Sequence, residues 1–250
     1  MGIGPGGAAD MTGRAKAAIE ASDTIVGYTT YIRLIQPMLG GKEVLSTGMK
    51  AEADRCMEAV RLAGEGRHVA LISSGDSGIY GMAGLVLEII KEETLAGKKK
   101  DQGEPPFDFE VIPGVPAVCS SAATLGAPLM HDFAVISLSD LLTPWDLIIR
   151  RLHAAAEADF VIAIYNPRSK GRPDYLEEAR QIIMSHRPGT TPVGIVKDSR
   201  REGEKVIIST LAGLPVEEVD MTTMVIVGNS QSYRFMDYIV TPRGYKGKRF

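Results

Sequence analysis

Residues 73–81 read SSGDSGIYG, and this stretch decides the fold of the chain. The apolar run HVALI (68–72) precedes it, and the segment MAGLVLEIIKE (82–92), with apolar residues at helical spacing, follows it. A short apolar run, a glycine-containing turn and an amphipathic segment predict a strand, a turn and a helix. The turn carries Asp76 and contains neither lysine nor arginine. These features raise the question of which ligand, if any, the turn binds.

Outside this stretch, apolar runs typical of strands alternate with amphipathic helices such as the one predicted at about 51–64. The predicted strands are 24–28, 68–73, 109–112, 134–138, 160–165, 192–196, 205–210 and 224–228. The alternation predicts an α/β fold with largely parallel sheets. The closer spacing of the later runs predicts a mixed sheet in a second domain. We therefore expect an N-terminal α/β domain over residues 1–125 and a C-terminal one over 126–250.

The composition narrows the class of protein. The 250 residues carry a net charge of −3, which argues against a nucleic-acid binder. No apolar run approaches the length of about 18 residues that a membrane helix needs, so we expect a cytoplasmic protein without a membrane partner. Cys56 and Cys119 form no CxxC pair, so we expect two buried thiols and no metal site.

Two further glycine-containing turns accompany residues 73–81. The chain opens with GIGPGG (2–7), and VIPGVPA (111–117) precedes the small-residue run VCSSAA. The first turn matches G-x-G-x-x-G but lacks the preceding strand and the downstream acid of a dinucleotide site. No lysine stands in these turns to face a phosphate. Asp76 suits a ligand with amino, hydroxyl and cationic groups, although a helix cap is the alternative interpretation.

The three turns, read with later motifs, resemble one family, the tetrapyrrole methylases, which are class III S-adenosylmethionine-dependent methyltransferases. The resemblance runs from Gly2 to about Tyr245. Two narrow blocks, HDFAVISLSDLLTPW (131–145) and YNPRSKGR (165–172), are similar to the subgroup that methylates carbon 17 of precorrin-3B or its cobalt counterpart. Further motifs are TPVGIVKDSRR (191–201), VDMTTMVIVGNS (219–230) and TPRGY (241–245).

The resemblance implies two α/β domains with a cofactor cleft between them and a homodimer. The family usually has a strand before the first glycine-containing turn, and here we expect that first strand to be truncated, because only Met1 to Gly4 can occupy its place. It also implies methyl transfer from S-adenosylmethionine to the tetrapyrrole, with ring contraction, in cobalamin biosynthesis. By motif, the implied cofactor contacts are Pro5, Ser74, Gly75, Asp76, Ile79, Pro116, Ala117, Tyr165 and Ser199.

Ring contraction requires a proton acceptor, and the sequence leaves several candidates open. They are His131, Asp132, Ser137, Ser139, Asp140 and Tyr165. Asp140 is also a plausible cap for a helix that begins near Pro144.

The substrate carries carboxylates, which favours a basic rim. Candidate cations stand on loops that follow predicted strands, and solvated charged loops are the alternative. These cations are Arg168, Lys170, Arg172, Lys197, Arg200, Arg201 and Arg243.

Two other functions compete with this interpretation. One keeps the fold but methylates another position, as a different precorrin or uroporphyrinogen methyltransferase would. The other is a non-catalytic nucleotide-binding module. The sequence does not show whether the substrate contains cobalt.

Overall fold

The computed structural model describes residues 1–95, without the side chain of residue 95, and residues 105–245. The chain divides into two compact units, Met1–Ala117 and Val118–Phe250. The division follows Ala117, the first residue of the helix Ala117–Leu125, whereas the sequence predicts a boundary near residue 125, at the end of that helix.

The first unit contains a parallel three-stranded sheet with strand order β2-β1-β3. Its elements are α1 (Gly13–Ala21), β1 (Thr24–Tyr28), α2 (Thr29–Leu34), β2 (Glu43–Thr47), α3 (Glu52–Gly64), β3 (Val69–Ile72) and α4 (Ala83–Leu95). Threonine favours the N-cap position of a helix, and Thr12 caps α1, since its Oγ1 accepts a hydrogen bond of 3.1 Å from Ala15 N–H. Helix α3 turns Cys56, Ala59 and Val60 into the core, at the spacing of one helical face.

Met1–Gly4 lie beside the carboxyl end of β3, in the place predicted for a shortened first strand. Ile3 N–H donates to Ser73 O at 2.9 Å, and Ser73 N–H donates to Met1 O at 2.9 Å. On the other side, Gly2 N–H donates to Ile112 O at 2.9 Å. A cavity of about 600 Å³ adjoins this stretch, lined by Met1, by β3 and by residues 106–112.

The second unit contains a five-stranded mixed sheet with strand order β5-β6-β9-β7-β8, as the spacing of the later runs predicts. Its elements are α5 (Ala117–Leu125), β4 (Gly126–Ala127), β5 (Phe133–Ser137), α6 (Trp145–Glu157), β6 (Val161–Tyr165), α7 (Tyr175–Met184), β7 (Pro192–Lys197), β8 (Lys205–Thr210), β9 (Thr223–Val227), β10 (Tyr233–Phe235) and β11 (Tyr238–Val240). Helix α5 begins one residue before the first residue of this unit, Val118. Strands β10, β11 and β4 form a small separate sheet.

The directions of these strands locate one functional edge of the five-stranded sheet. Strand β5 is parallel to β6, while β9 is antiparallel to both β6 and β7. Strands β5, β6 and β7 therefore run in the same direction, and their carboxyl ends meet at one edge. Ligands of open α/β sheets bind outside the carboxyl ends of the strands. Below, "the carboxyl edge" means Ser137, Tyr165 and Lys197 with the loops that follow them.

The core of the second unit explains why its strands read as continuous apolar runs. Ile162 and Val193 are fully buried, and Ile164 and Ile195 nearly so. Helices α6 and α7 belong to the same apolar cluster through Ile148, Leu152, Leu176 and Ile183. Strands buried in this way lack the alternation of a solvent-facing sheet.

The structure corrects three expectations. Residues 109–112 form no strand, because their contact with Met1–Gly4 is too short for a ladder. Strand β2 and the β10–β11 hairpin were not predicted, since both are largely exposed and lack an apolar run. Cys119 is exposed, whereas Cys56 is buried as expected.

Candidate functional site

The three glycine-containing turns meet in the first unit with their backbones in direct contact. Gly75 N–H donates to Gly4 O at 2.8 Å, and Gly4 N–H donates to Gly75 O at 3.1 Å. A Cβ atom on Gly2 would lie 2.4 Å from Gly75 O, and one on Gly114 would lie 2.1 Å from the same oxygen. No side chain fits at these two positions. The glycines are therefore required for the packing of one turn against another.

Asp76 joins two of these turns. Its Oδ1 accepts a hydrogen bond of 2.8 Å from Gly78 N–H, and its Oδ2 accepts one of 3.0 Å from Gly114 N–H. It does not cap α4, which begins at Ala83. Other residues accept the hydrogen bonds from the amides at the start of that helix. Met82 N–H donates to Ser73 Oγ at 3.4 Å, and Ala83 N–H donates to Ser77 O at 3.0 Å. The helix-cap interpretation of Asp76 is thus wrong.

Several of the predicted cofactor residues lie together in this unit. Gly75 has a left-handed φ of +64°. An added Cβ there would be 3.5 Å from Ala117 N and 3.7 Å from Pro116 Cα. Ile79 is exposed on the same turn, at 36% of its surface. Pro5 is buried and Ser74 half-buried in the turns that Gly4 and Gly75 join.

The remaining predicted cofactor residues, Tyr165 and Ser199, lie at the carboxyl edge of the second unit. The Tyr165 hydroxyl accepts a hydrogen bond of 3.0 Å from Val118 N–H in the first turn of α5. The Ser199 and Ser120 hydroxyls are 2.9 Å apart, and both residues are buried. The structure therefore brings the two side chains to the same helix, α5.

The loop that carries Ser199 has an unusual backbone. Asp198 and Arg200, which flank the serine, both have left-handed φ values, +49° and +60°. Non-glycine residues with positive φ are uncommon, and they concentrate at functional sites. Asn166, the residue after Tyr165, is a third example at this edge, with φ of +49°.

The loop after β5 supplies polar groups at the same edge. Ser137 Oγ accepts hydrogen bonds from Asn166 Nδ2 at 2.8 Å and from Ser139 N–H at 3.2 Å. Asp140 Oδ2 accepts one from the Tyr175 hydroxyl at 2.8 Å, and this bond is the main reason that the pKa of Tyr175 is raised. Asp140 does not cap α6, where Pro144 occupies the cap position.

Sequence reasoning missed Asn166 and Tyr175. Asparagine tolerates positive φ better than most residues, so its position after a strand in YNP was the available signal. For Tyr175 the sequence offers no signal, because its partner Asp140 belongs to another loop.

The structure separates the candidate bases into two groups. Ser137, Ser139, Asp140 and Tyr165 lie at the carboxyl edge. His131 and Asp132 precede β5, where Val161 N–H donates to Asp132 O at 3.1 Å. A strand of five residues places the two groups roughly 17 Å apart. His131 and Asp132 are therefore too far from the other four candidates to share a reacting atom with them.

The predicted basic rim divides into internal and exposed cations. Arg172 is buried and donates to Leu138 O at 2.8 Å, so it is not a surface carboxylate site. Arg168 pairs with Glu217 at 2.6 Å, and Lys197 pairs with Asp220 at 2.6 Å. Arg201 is half-buried. The exposed members of the predicted rim are Lys170, Arg200 and Arg243.

Within residues 1–95 and 105–245, no three His, Cys, Asp or Glu residues come close enough to hold a metal ion. In the same residues, no helix has both the length and the apolar character needed to cross a membrane.

Comparison with known proteins gives concordant matches. Residues 1–215 match the family model described as tetrapyrrole (corrin/porphyrin) methylases. The chain is 49% identical to the probable cobalt-factor III C(17)-methyltransferase of Salmonella typhimurium, over 98% of each chain. It is also 49% identical to the cobalt-factor III methyltransferase of Priestia megaterium, of which it spans 45%. The crystal structure of the methyltransferase CobJ superposes with a TM-score of 0.88 at 33% identity, over 96% of this chain and 97% of that one.

Proposed function

Because the chain belongs to the tetrapyrrole methylase family, we propose that it transfers a methyl group from S-adenosylmethionine to carbon 17 of cobalt-factor III or precorrin-3B, with ring contraction, in cobalamin biosynthesis. The observation that carries this proposal is the 49% identity with the Salmonella typhimurium relative over nearly the whole of both chains. The narrow blocks at residues 131–145 and 165–172 favour position 17 over another position of the ring.

The turns of the first unit have the properties that this cofactor requires. They pack backbone against backbone at Gly2, Gly75 and Gly114, and this contact fixes the three turns beside one another. Residues 73–81 and 111–117 contain no lysine or arginine, so a cationic sulfonium meets no like charge from them. We assign cofactor contacts in this unit to Pro5, Ser74, Gly75, Asp76, Ile79, Pro116 and Ala117.

In the second unit we assign cofactor contacts to Tyr165 and Ser199. Their hydrogen bonds to Val118 and Ser120 hold both side chains in place before any ligand binds. When bound, S-adenosylmethionine supplies an electrophilic methyl group on a good leaving group. The contribution of the protein to methyl transfer is then mainly to hold the two reactants in line, which is worth up to roughly 7–11 kcal/mol.

Ring contraction also needs a proton acceptor, and we propose Asp140. Of the four candidates at the carboxyl edge, it is the only carboxylate. The Tyr175 hydroxyl fixes one of its oxygens at 2.8 Å, and Arg172 Nε lies 3.8 Å from the other. A positioned base contributes about 10²–10⁴-fold to such a step.

The test of Asp140 separates methylation from contraction. We expect Asp140→Asn to accumulate a methylated, uncontracted product, because the amide cannot accept the proton. Tyr175→Phe keeps the carboxylate and serves as the control. If Asp140→Asn forms the contracted product at the rate of the unsubstituted protein, another group is the base.

For the carboxylates of the macrocycle we propose the exposed cations Lys170, Arg200 and Arg243. Lys170 and Arg200 stand on the loops that follow β6 and β7, and so at the carboxyl edge. The family motif TPRGY supplies Arg243. Arg168 and Arg172 were predicted to bind substrate, but their internal bonds favour a role in shaping the loop after β6.

The experiment that tests the function is incubation with methyl-labelled cofactor and either cobalt-factor III or metal-free precorrin-3B. Mass spectrometry should show one added methyl group and a contracted ring. Both relatives compared above are named for cobalt-factor III, so we expect the cobalt form to be preferred. A chain that methylates neither macrocycle, and that binds ATP or NAD more tightly than S-adenosylhomocysteine, would be a nucleotide-binding module instead.

We further propose that the protein is a homodimer. The β10–β11 hairpin exposes Tyr233, Phe235 and Tyr238 to about half of their surface, and Met236 to 72%. Strand β10 also forms an outer edge of its sheet, which is suited to contact with a second copy. We expect sedimentation at micromolar concentration to give a dimer that Phe235→Glu dissociates. A species of 26.9 kDa without substitution would contradict this proposal.

A further inference from the structure

The loop between β5 and α6, residues 138–144, carries two adjacent leucines at its tip. Leu141 is 72% exposed and Leu142 is 99% exposed. Single exposed apolar residues are normal on protein surfaces. Two neighbouring leucines on one loop, at the edge of the sheet where ligands of α/β proteins bind, require a closer explanation.

The first half of this loop is bonded to the strand beside it and to the loop after that strand. Leu138 N–H donates to Tyr165 O at 3.0 Å. Leu138 O accepts a hydrogen bond of 2.8 Å from the buried guanidinium of Arg172. Ser139 N–H donates to Ser137 Oγ, which Asn166 also binds. Both backbone groups of Leu138 therefore have partners.

The second half is held by α6 and α7. The Tyr175 hydroxyl at the start of α7 donates to Asp140, the residue before the leucine pair. The Tyr175 ring stacks on Trp145, the first residue of α6, with centroids 3.9 Å apart and an angle of 20° between the planes. Trp145 Nε1–H in turn donates to Glu178 at 3.2 Å. The leucine pair thus lies between two anchored points.

A loop fixed in this way presents its apolar tip with little conformational freedom left to lose. The leucines gain almost no burial in the fold itself, since most of their surface remains in water. An ordered apolar group gains affinity for a ligand because less entropy is lost on binding. The ordered apolar tip is therefore suited to contact with a ligand.

We propose that Leu141 and Leu142 pack against the apolar face of the macrocyclic substrate and contribute to its binding. This inference rests on the proposed function. A planar macrocycle with a carboxylate rim matches this edge, where the leucines are next to Asp140 in the chain and Lys170 stands on the loop after the neighbouring strand. The leucines contact the flat apolar surface, and the cations contact the rim.

The test compares Leu141→Ser/Leu142→Ser with the unsubstituted protein. We expect the KM for the macrocycle to rise by about 10-fold or more, with kcat at saturation nearly unchanged, because apolar contact with the bound ring is lost. The affinity for S-adenosylhomocysteine and the melting temperature should not change, since both side chains are exposed. The single variant Leu142→Met, which keeps an apolar side chain, should retain most of the affinity for the macrocycle. Leu87→Ser, on the half-exposed surface of α4, is the matched control.

Direct binding keeps the inference testable if no methyl transfer is seen. Quenching of the fluorescence of uroporphyrin, a stable carboxylated tetrapyrrole, measures binding without catalysis. The double variant should bind it at least several-fold more weakly than the Leu87→Ser control does. Equal binding by the two variants would overturn the inference, whether or not the unsubstituted protein is active. Conversion of a dimer to a monomer by the double substitution, with unchanged uroporphyrin binding, would show that the tip contacts a second copy instead.

Discussion

Asp76 Oδ2 accepts a hydrogen bond of 3.0 Å from the backbone N–H of Gly114, 38 residues later in the chain, while Oδ1 binds Gly78. One carboxylate thus holds two glycine-containing turns together. We expect Asp76→Ala to weaken S-adenosylhomocysteine binding by at least about 1 kcal/mol, the scale of a charge-assisted hydrogen bond. Calorimetry measures the change.

The matched control for Asp76 is its neighbour Ser77. The Ser77 hydroxyl is buried and has no hydrogen-bond partner among the described residues. Ser77→Ala should therefore leave the affinity nearly unchanged. If the two variants bind the ligand equally well, Asp76 has no part in the site.

Tyr165 provides a second test of the cofactor site. Tyr165→Phe removes the acceptor of the Val118 N–H bond, and one lost hydrogen bond costs about 0.5–1.5 kcal/mol. We expect S-adenosylhomocysteine affinity to fall by roughly 2- to 12-fold. Tyr233→Phe, in the exposed strand β10, is the control and should bind normally. A normal affinity for Tyr165→Phe would remove the hydroxyl from the proposed site.

The two cysteines should differ sharply in reactivity. Burial raises the pKa of the Cys56 thiol to about 11, with opposing smaller effects from Arg55 and Glu52, whereas Cys119 is exposed. The thiolate is the reactive species, and Cys56 is both buried and mostly protonated at about pH 8. Only Cys119 should therefore react with a disulfide reagent at that pH in the native protein. Both thiols should react in denaturant, and Cys119→Ser should abolish the native reaction. Rapid native labelling of both would contradict the burial of Cys56.

Asp220 should make stability depend on pH in acid. Partial burial raises its pKa, but hydrogen bonds from Lys197, Thr222 and Thr223 outweigh that effect and lower the pKa from 3.8 to about 2. A carboxyl whose pKa is lower in the folded state stabilises the protein above the unfolded value. That stability is lost as pH falls from about 3.8 towards 2.

The corresponding measurement is urea unfolding of Asp220→Asn at neutral pH and near pH 2, where the folded carboxyl begins to be protonated. We expect a loss of about 1 kcal/mol at neutral pH, a modest value because the Asp220 side chain is 46% exposed, and little difference in acid. Asp237→Asn, at a carboxylate that is 93% exposed, should have almost no effect. If the loss in the free energy of unfolding is the same at low pH, the cause is lost packing and the charge of the carboxylate is not responsible.

Much of the fold followed from local patterns in the sequence. The apolar runs at 24–28 and 205–210 coincide with β1 and β8, and Thr12 caps α1 as its residue type indicates. Strand and helix periods depend on neighbours a few residues away, so the chain itself carries that information. Residues 109–112 are an exception, because a strand also needs a partner of sufficient length.

The candidate site likewise contains some features that depend on adjacent residues and others that depend on tertiary contacts. The sequence by itself determined the three lysine-free glycine turns and the motifs of the methylase family, since both depend on residues that are adjacent in the chain. Only the tertiary structure decided that Arg172 turns inward to Leu138 O, and that His131 lies at the far end of β5 from Asp140. It also showed that Asp76 binds two backbone amides and caps no helix. Each of these outcomes depends on which strands and loops become neighbours in space, because a side chain bonds to whatever group the fold brings within about 3 Å of it.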